Sequence, residues 1–279
     1  MLDALMDAAI DTVKLFPILF ITYILMEWLE HRAKDKSLKI VRYAGKTGPL
    51  FGGLFGAIPQ CGFSGAAASF FAAKSITLGS LIAIFLATSD EMLPILISSN
   101  LQAGFIVKIL TAKCITGVAF GYLIDIIYHR HPKIEANHIH DFCEQEHCDC
   151  DHGLLKPALK HTLNIILLIF IVSLCLNIFF VVAGNDVLTS LFAGKPVVSG
   201  LLAGVIGLIP NCSASVLITQ LYVEGVMNIG TMMTGLLVNA GVGLLVLFKV
   251  NHSFKENVAI TGILYVCGVI GGYILGLIL

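Results

Sequence analysis

The sequence predicts an all-α polytopic membrane protein: two inverted repeats, each with three spanning helices and one broken, re-entrant helical hairpin. Three observations carry that prediction. Of 279 residues, 57% are hydrophobic and only 13% charged, where soluble domains carry about one-quarter charged residues. Mean hydropathy is +0.91, and apolar runs recur at the roughly 20-residue length that crosses a bilayer core. Finally, "IPQC" at 58–61 interrupts one apolar segment and "IPNC" at 209–212 interrupts another. A formal net charge of −1 gives no basic surface for nucleic acid. The expected partner is the lipid bilayer, and a homo-oligomer is compatible with the sequence.

The elements follow in order. "MLDALMDAAIDTVK" carries acids ahead of the first apolar run; a cleavable signal would begin with a basic region, so none is expected. A first span is predicted at 13–29, then a basic linker at 31–46. Segment 48–73 is broken at Pro59-Gln60-Cys61 into two arms, each too short to span alone. Spans at 76–98 and 104–128 complete a first membrane repeat, 1–128. A polar loop, 129–157, divides the chain. The second repeat, 158–279, restates the order: a span at 161–183, a broken segment at 198–223, and spans at 226–248 and 257–278.

The halves align without a gap at an offset of 151 residues. Leu50, Gly53, Gly56, Ile58, Pro59, Cys61 and Ser64 match Leu201, Gly204, Gly207, Ile209, Pro210, Cys212 and Ser215. Charge sets the predicted topology. If each broken segment enters and leaves on one face, the basic linker, Lys74, the central loop and Lys249/Lys255 all fall on one side, which the positive-inside rule makes cytoplasmic. Each half then crosses three times, so the second half is inverted. Both termini are expected outside. Inverted repeats with discontinuous helices are a secondary-transporter design, with substrate bound where the breaks meet.

The candidate site gathers around those breaks. "ATSDEMLP" places Thr88, Asp90 and Glu91 inside a span, and an intramembrane acid is a functional hypothesis by default. Lys113, at similar depth in the next span, is the expected charge partner for Asp90 or Glu91. The second-half equivalent of Thr88 is Asn239, while Asp90 and Glu91 correspond to Gly241 and Val242. Gln60, Cys61, Ser64, Asn211, Cys212, Ser213 and Ser215 complete the expected substrate site. Oxygen ligands with a carboxylate suit a divalent cation such as Mn²⁺, and thiols suit softer ions or trivalent arsenic. The transported metal ion is the expected ligand, with no separate cofactor.

The central loop, "HRHPKIEANHIHDFCEQEHCDCDHG", holds His138, His140, Cys143, His147, Cys148, Cys150 and His152 among acids. Such tracts read as metal binding. The spacing fits no closed zinc pattern, so a flexible cytosolic sensor or collecting loop is expected.

The paired "G-x-I-P-x-C" breaks, the "ATSDEMLP" span and the His/Cys/acid loop together resemble the bacterial arsenic-efflux-like family of heavy-metal exporters. That family is described with ten transmembrane segments and includes members labelled manganese transporters. The resemblance implies export of a metal or metalloid from a bacterial cytoplasm. The related organoarsenical permeases have a denser cysteine pattern after the break, where this chain has Phe63 and Ala214. The leading expectation is therefore a non-enzymatic secondary exporter of a divalent ion, Mn²⁺ favoured, with proton exchange at Asp90/Glu91. The alternatives are an arsenite or organoarsenical permease using Cys61 and Cys212, and a membrane thiol oxidoreductase using the same pair. No C-x-x-C, serine elbow or H-E-x-x-H motif supports the enzyme.

Overall fold

Matched helix boundaries, half a chain apart, organise the structure. The computed structural model describes residues 37–57, 61–89, 92–99, 101–128 and 196–279, with separate helical residues between 13 and 24 and between 159 and 174. For 37–46, Cys61, Pro94, Pro196 and Cys212 it describes the backbone alone. Among the described residues all regular structure is helical. In the first half these are α1 (Ser37–Gly56), α2 (Cys61–Ala72), α3 (Leu78–Ala87), α4 (Met92–Ser98) and α5 (Ala103–Tyr128). In the second half they are α6 (Pro196–Gly207), α7 (Cys212–Val223), α8 (Ile229–Val238), α9 (Gly243–Val250) and α10 (Phe254–Ile278).

The offset of 151 residues seen in the sequence recurs in these boundaries. It relates Leu78–Ala87 to Ile229–Val238, and Cys61–Ala72 to Cys212–Val223. The caps repeat as well. Thr77 accepts from Ser80 N at 3.0 Å to start α3, and the Asn228 side chain accepts from Thr231 N at 2.8 Å to start α8. At the other end Thr88 N donates to Ile84 O and Asn239 N to Gly235 O, both at 3.0 Å. Ser, Thr, Asn and Asp suit N-caps because a short side-chain oxygen reaches the orphan N–H groups of the first turn.

Two differences from the sequence reading bear on function. Helix α1 starts at Ser37, inside the predicted linker. More important, the segments read as single spans at 76–98 and 226–248 are each two helices, interrupted between Ala87 and Met92 and between Val238 and Gly243. The helix interruptions before Cys61 and Cys212 are thus not the sole breaks: each half carries a second one.

Packing follows from which faces are apolar. Helices α3 and α8 are buried nearly all round, as a helix apolar on every side requires. Within the first half α3 packs on α1 and α5, and within the second α8 packs on α6 and α10. Across the halves α2 packs on α9, α7 on α4, and α3 on α8. Glycines permit the close approach at matched places: a Cβ on Gly56 would lie 2.6 Å from Ile84 O, and one on Gly207 2.4 Å from Gly235 O. Small residues at helix interfaces serve the same end in membrane bundles generally.

The outer helices show lipid-type surfaces. Helix α5 exposes Val107, Ile115, Leu123, Ile126 and Ile127, and α10 exposes Val258, Val266, Ile270 and Ile274. Helices α5 and α10, and the run 229–250 that contains α8 and α9, are long and apolar enough to cross a membrane. The chain is an all-α, multi-pass membrane protein.

Candidate functional site

The second pair of breaks is marked by local hydrogen bonding in each half. At Thr88 the backbone leaves the helical region (ψ 126°), with the hydroxyl donating to Ile84 O at 2.8 Å and the next hydroxyl, Ser89, donating to Ala87 O at 2.9 Å. At Asn239 it leaves at ψ 103°. There the side-chain oxygen accepts from Gly241 N at 2.7 Å, a local turn that competes with helix continuation. Gly241 has φ +54°, a left-handed conformation that glycine adopts without a Cβ penalty.

Helices α3 and α8 therefore both end at one place, and their caps face a shared cleft. Thr88, Ser89, Met92 and Lys113 from the first half, and Ser215, Leu236 and Asn239 from the second, line a narrow junction with no room for a water molecule. The last carbonyls of a helix lack intrahelical partners and carry the negative end of its dipole. Into this negative junction α5 delivers Lys113, which is 1% exposed. Its Nζ donates to the Thr88 carbonyl and, at 2.8 Å, to the Leu236 carbonyl. One ammonium thus bridges backbone oxygens of both halves of the chain. The equivalent position in the second repeat is Leu264, fully buried.

Asn239 supplies the other notable group. Its residue is 4% exposed, and its Nδ2 finds no hydrogen-bond partner among the described residues. The Gly241 N–H needs an acceptor, so Oδ1 is committed there and the unsatisfied donor is the amide NH₂. Leaving such a donor buried and unmet costs about 1–3 kcal/mol.

Of the residues singled out by sequence, Thr88, Lys113, Ser215 and Asn239 meet at this cleft. Ser89, Met92 and Leu236 join them; Ser89 stood in the "ATSDEMLP" motif, but Leu236 contributes a main-chain oxygen that no side-chain pattern marks. Ser64 is fully buried on α2. It packs at the start of α9, where a Cβ on Gly243 would lie 2.8 Å from Ser64 Cβ. Asn211, also buried, caps α7 with extended backbone, and its Nδ2 donates to the Ser213 hydroxyl at 3.1 Å. Neither Ser64, Asn211 nor Ser213 lines the cleft. Cys61 and Cys212 are the first residues of α2 and α7.

Gln60, Asp90 and Glu91 lie outside the described residues, so the predicted pairing of Lys113 with an acid does too. The same holds for His138, His140, Cys143, His147, Cys148, Cys150 and His152 of the loop. Among the described residues no group of three or more His, Cys, Asp or Glu side chains converges. The described part of the cleft is built from hydroxyls, carbonyls, an amide, a thioether and an ammonium.

No curated protein matches the chain, and no solved structure does. A family match does exist and spans residues 1–182, which takes in the first repeat, with Thr88 and Lys113, and the whole central loop. With more than half of its length matched, this chain belongs to the family described as "Putative, 10TM heavy-metal exporter".

Proposed function

We propose that the chain is a secondary transporter that exports a divalent metal ion, Mn²⁺ in preference, from the cytoplasm across a bacterial inner membrane in exchange for protons. The observation that carries this reading is the cleft at the second pair of breaks, lined from both repeats and holding an unmet Asn239 amide. A buried donor without an acceptor suits an oxygen that arrives with the substrate. The junction is closed as it stands; on opening, a metal ion that keeps part of its water shell would supply one, and the Thr88, Ser89 and Ser215 hydroxyls would supply oxygen ligands of the kind that hard and borderline cations take. Asp90 and Glu91, in the link that follows Ser89, provide the negative charge and the protons for exchange.

In this reading the repeats are inverted, and their breaks meet near the membrane midplane. Segments 1–128 and 158–279 are the two membrane repeats, with 129–157 as a cytoplasmic loop that collects metal through its His and Cys side chains. Both termini lie outside.

One observation favours a second reading. Cys61 and Cys212 each open a helix at matched places. A pair of thiol ligands there would suit trivalent arsenic and make the chain an arsenite or organoarsenical permease.

Purified protein in liposomes tests both. Radiolabelled Mn²⁺ should accumulate against an imposed proton gradient, and arsenite should not. Asp90→Asn and Glu91→Gln should insert normally and lose Mn²⁺ transport by about tenfold or more, the scale set by losing a charged contact of about 1.5–3 kcal/mol. Full Mn²⁺ transport in both variants would remove the carboxylates from the site. Arsenite transport that disappears in Cys61→Ser or Cys212→Ser would replace the Mn²⁺ reading with the second.

A further inference from the structure

We propose that α4 is the moving gate of the closed junction and α9 its fixed counterpart, although the two half-helices hold the same place in their halves of the chain. The proposal deepens the functional reading above and rests on it for what passes when the gate opens.

The offset of 151 residues carries Met92, the first residue of α4, onto Gly243, the first of α9. It also carries Ala103, where α5 begins, onto Phe254, where α10 begins. The turn that follows α9 is bolted to α10. Asn251 Nδ2 donates to Asn257 Oδ1 at 2.7 Å, and Asn257 Nδ2 donates back to the Asn251 carbonyl at 2.8 Å. Asn257 is 1% exposed, and a fully paired polar network in such surroundings rigidifies what it joins. In the first half Asn100 and Ile106 stand at the places of Asn251 and Asn257. An isoleucine side chain neither donates nor accepts, so the reciprocal pair cannot form. At the end of α4 the Ser98 and Ser99 hydroxyls instead donate to Ile95 O, at 2.9 and 2.8 Å, within the helix's own last turn.

The half-helices also meet unlike walls. Across the halves α9 packs on α2, and α4 on α7. At the start of α9 a Cβ on Gly243 would lie 2.8 Å from both Ser64 Cβ and Phe85 Cε1, a contact with no side chain on α9 to rearrange. The matched residue of α4 is Met92, and the serine matched to Ser64 is Ser215; these two line the junction. A thioether with three rotatable bonds adapts to altered packing. Elements held by fewer buried ties open at lower cost, so the junction opens on the α4 side while α9 stays seated on α2.

The test uses full-length protein in liposomes, with nitroxide pairs at matched exposed positions in a background whose native cysteines are serine. Ile97→Cys with Val107→Cys reports α4 against α5, and Phe248→Cys with Val258→Cys, 151 residues on, reports α9 against α10. Pulsed dipolar spectroscopy without metal should give a broad or two-peaked distance distribution for the first pair and a single narrow one for the second. Asn257→Leu should broaden the second. Ile106→Asn offers Asn100 the partner that Asn257 gives Asn251. It should narrow the first distribution and lower Mn²⁺ turnover by about tenfold at unchanged KM, the factor that about one net hydrogen bond supplies; adding Asn100→Ala should restore both. Equally narrow wild-type distributions would overturn the proposal without any lock variant having to fold. So would Ile106→Asn protein whose distribution narrows while turnover stays at the wild-type rate. Unequal wild-type widths in protein that moves no Mn²⁺ would sink the functional reading and leave the moving half-helix standing.

Discussion

Gly207→Ala should damage this protein in a way that the same change a few turns away does not. Gly207 is the last residue of α6, and a Cβ there would lie 2.4 Å from Gly235 O, 3.2 Å from Val238 Cβ and 3.3 Å from Asn239 N. The nearest atom is backbone, so no rotamer change relieves the contact. Gly235 O is also the oxygen that accepts from Asn239 N at the end of α8, so the strain falls on the break that presents Asn239 to the cleft. Overpacking costs about 1–3 kcal/mol, partly offset by the roughly 1 kcal/mol that alanine gains over glycine in a helix. Gly262, exposed in α10 with nothing within 4 Å of its added Cβ, collects the propensity gain alone. The two variants should therefore differ by about 1–3 kcal/mol, which at roughly 2–4 °C per kcal/mol for chains of this order separates their Tm values by several degrees. Thermal unfolding in one detergent reads the difference, and vesicle transport of Mn²⁺ should fall in Gly207→Ala while Gly262→Ala matches wild type. If Gly207→Ala is as stable and as active as Gly262→Ala, the close contact between α6 and α8 does not set the break.

Two further outcomes follow from the same geometry. Asn239→Ala removes the turn bond to Gly241 N and the unmet Nδ2 together; a lost hydrogen bond of about 1 kcal/mol against a relieved donor of about 1–3 kcal/mol leaves stability within about 2 kcal/mol, while the KM for Mn²⁺ rises. A Tm near wild type with an unchanged KM would take the amide out of substrate binding. For topology, a membrane-impermeant thiol reagent should label Ser99→Cys from outside intact cells and spare Ser75→Cys, in a background lacking Cys143, Cys148 and Cys150; the reverse pattern would make the repeats parallel and the hairpin segments full crossings.

Composition alone determines that this chain is a multi-pass helical membrane protein, because a sequence 57% hydrophobic with 13% charge has no soluble way to bury its side chains. The correspondence of helix boundaries between the halves was also legible, since matched glycines and prolines constrain the backbone locally wherever they stand. It reaches as far as the caps Thr77 and Asn228, each a short polar side chain before an apolar run. The second pair of breaks was harder to read. "LATS" and "LVNAG" carry no proline at the interruption and sit within apolar runs, so a hydropathy reading extends one helix through each. At Asn239 the amide turns back on its own backbone; the Thr88 hydroxyl bonds Ile84 O just as Thr111 and Thr219 bond their own i−4 carbonyls inside unbroken helices, so there packing rather than a local signal decides the break. The place of Lys113 was beyond any local pattern. Sequence suggested a nearby carboxylate as its partner, on residues outside the described ones; the tertiary structure adds a carbonyl of Leu236 from the other half. Every residue has a carbonyl, so only the meeting of two helix ends in space makes that one oxygen a site.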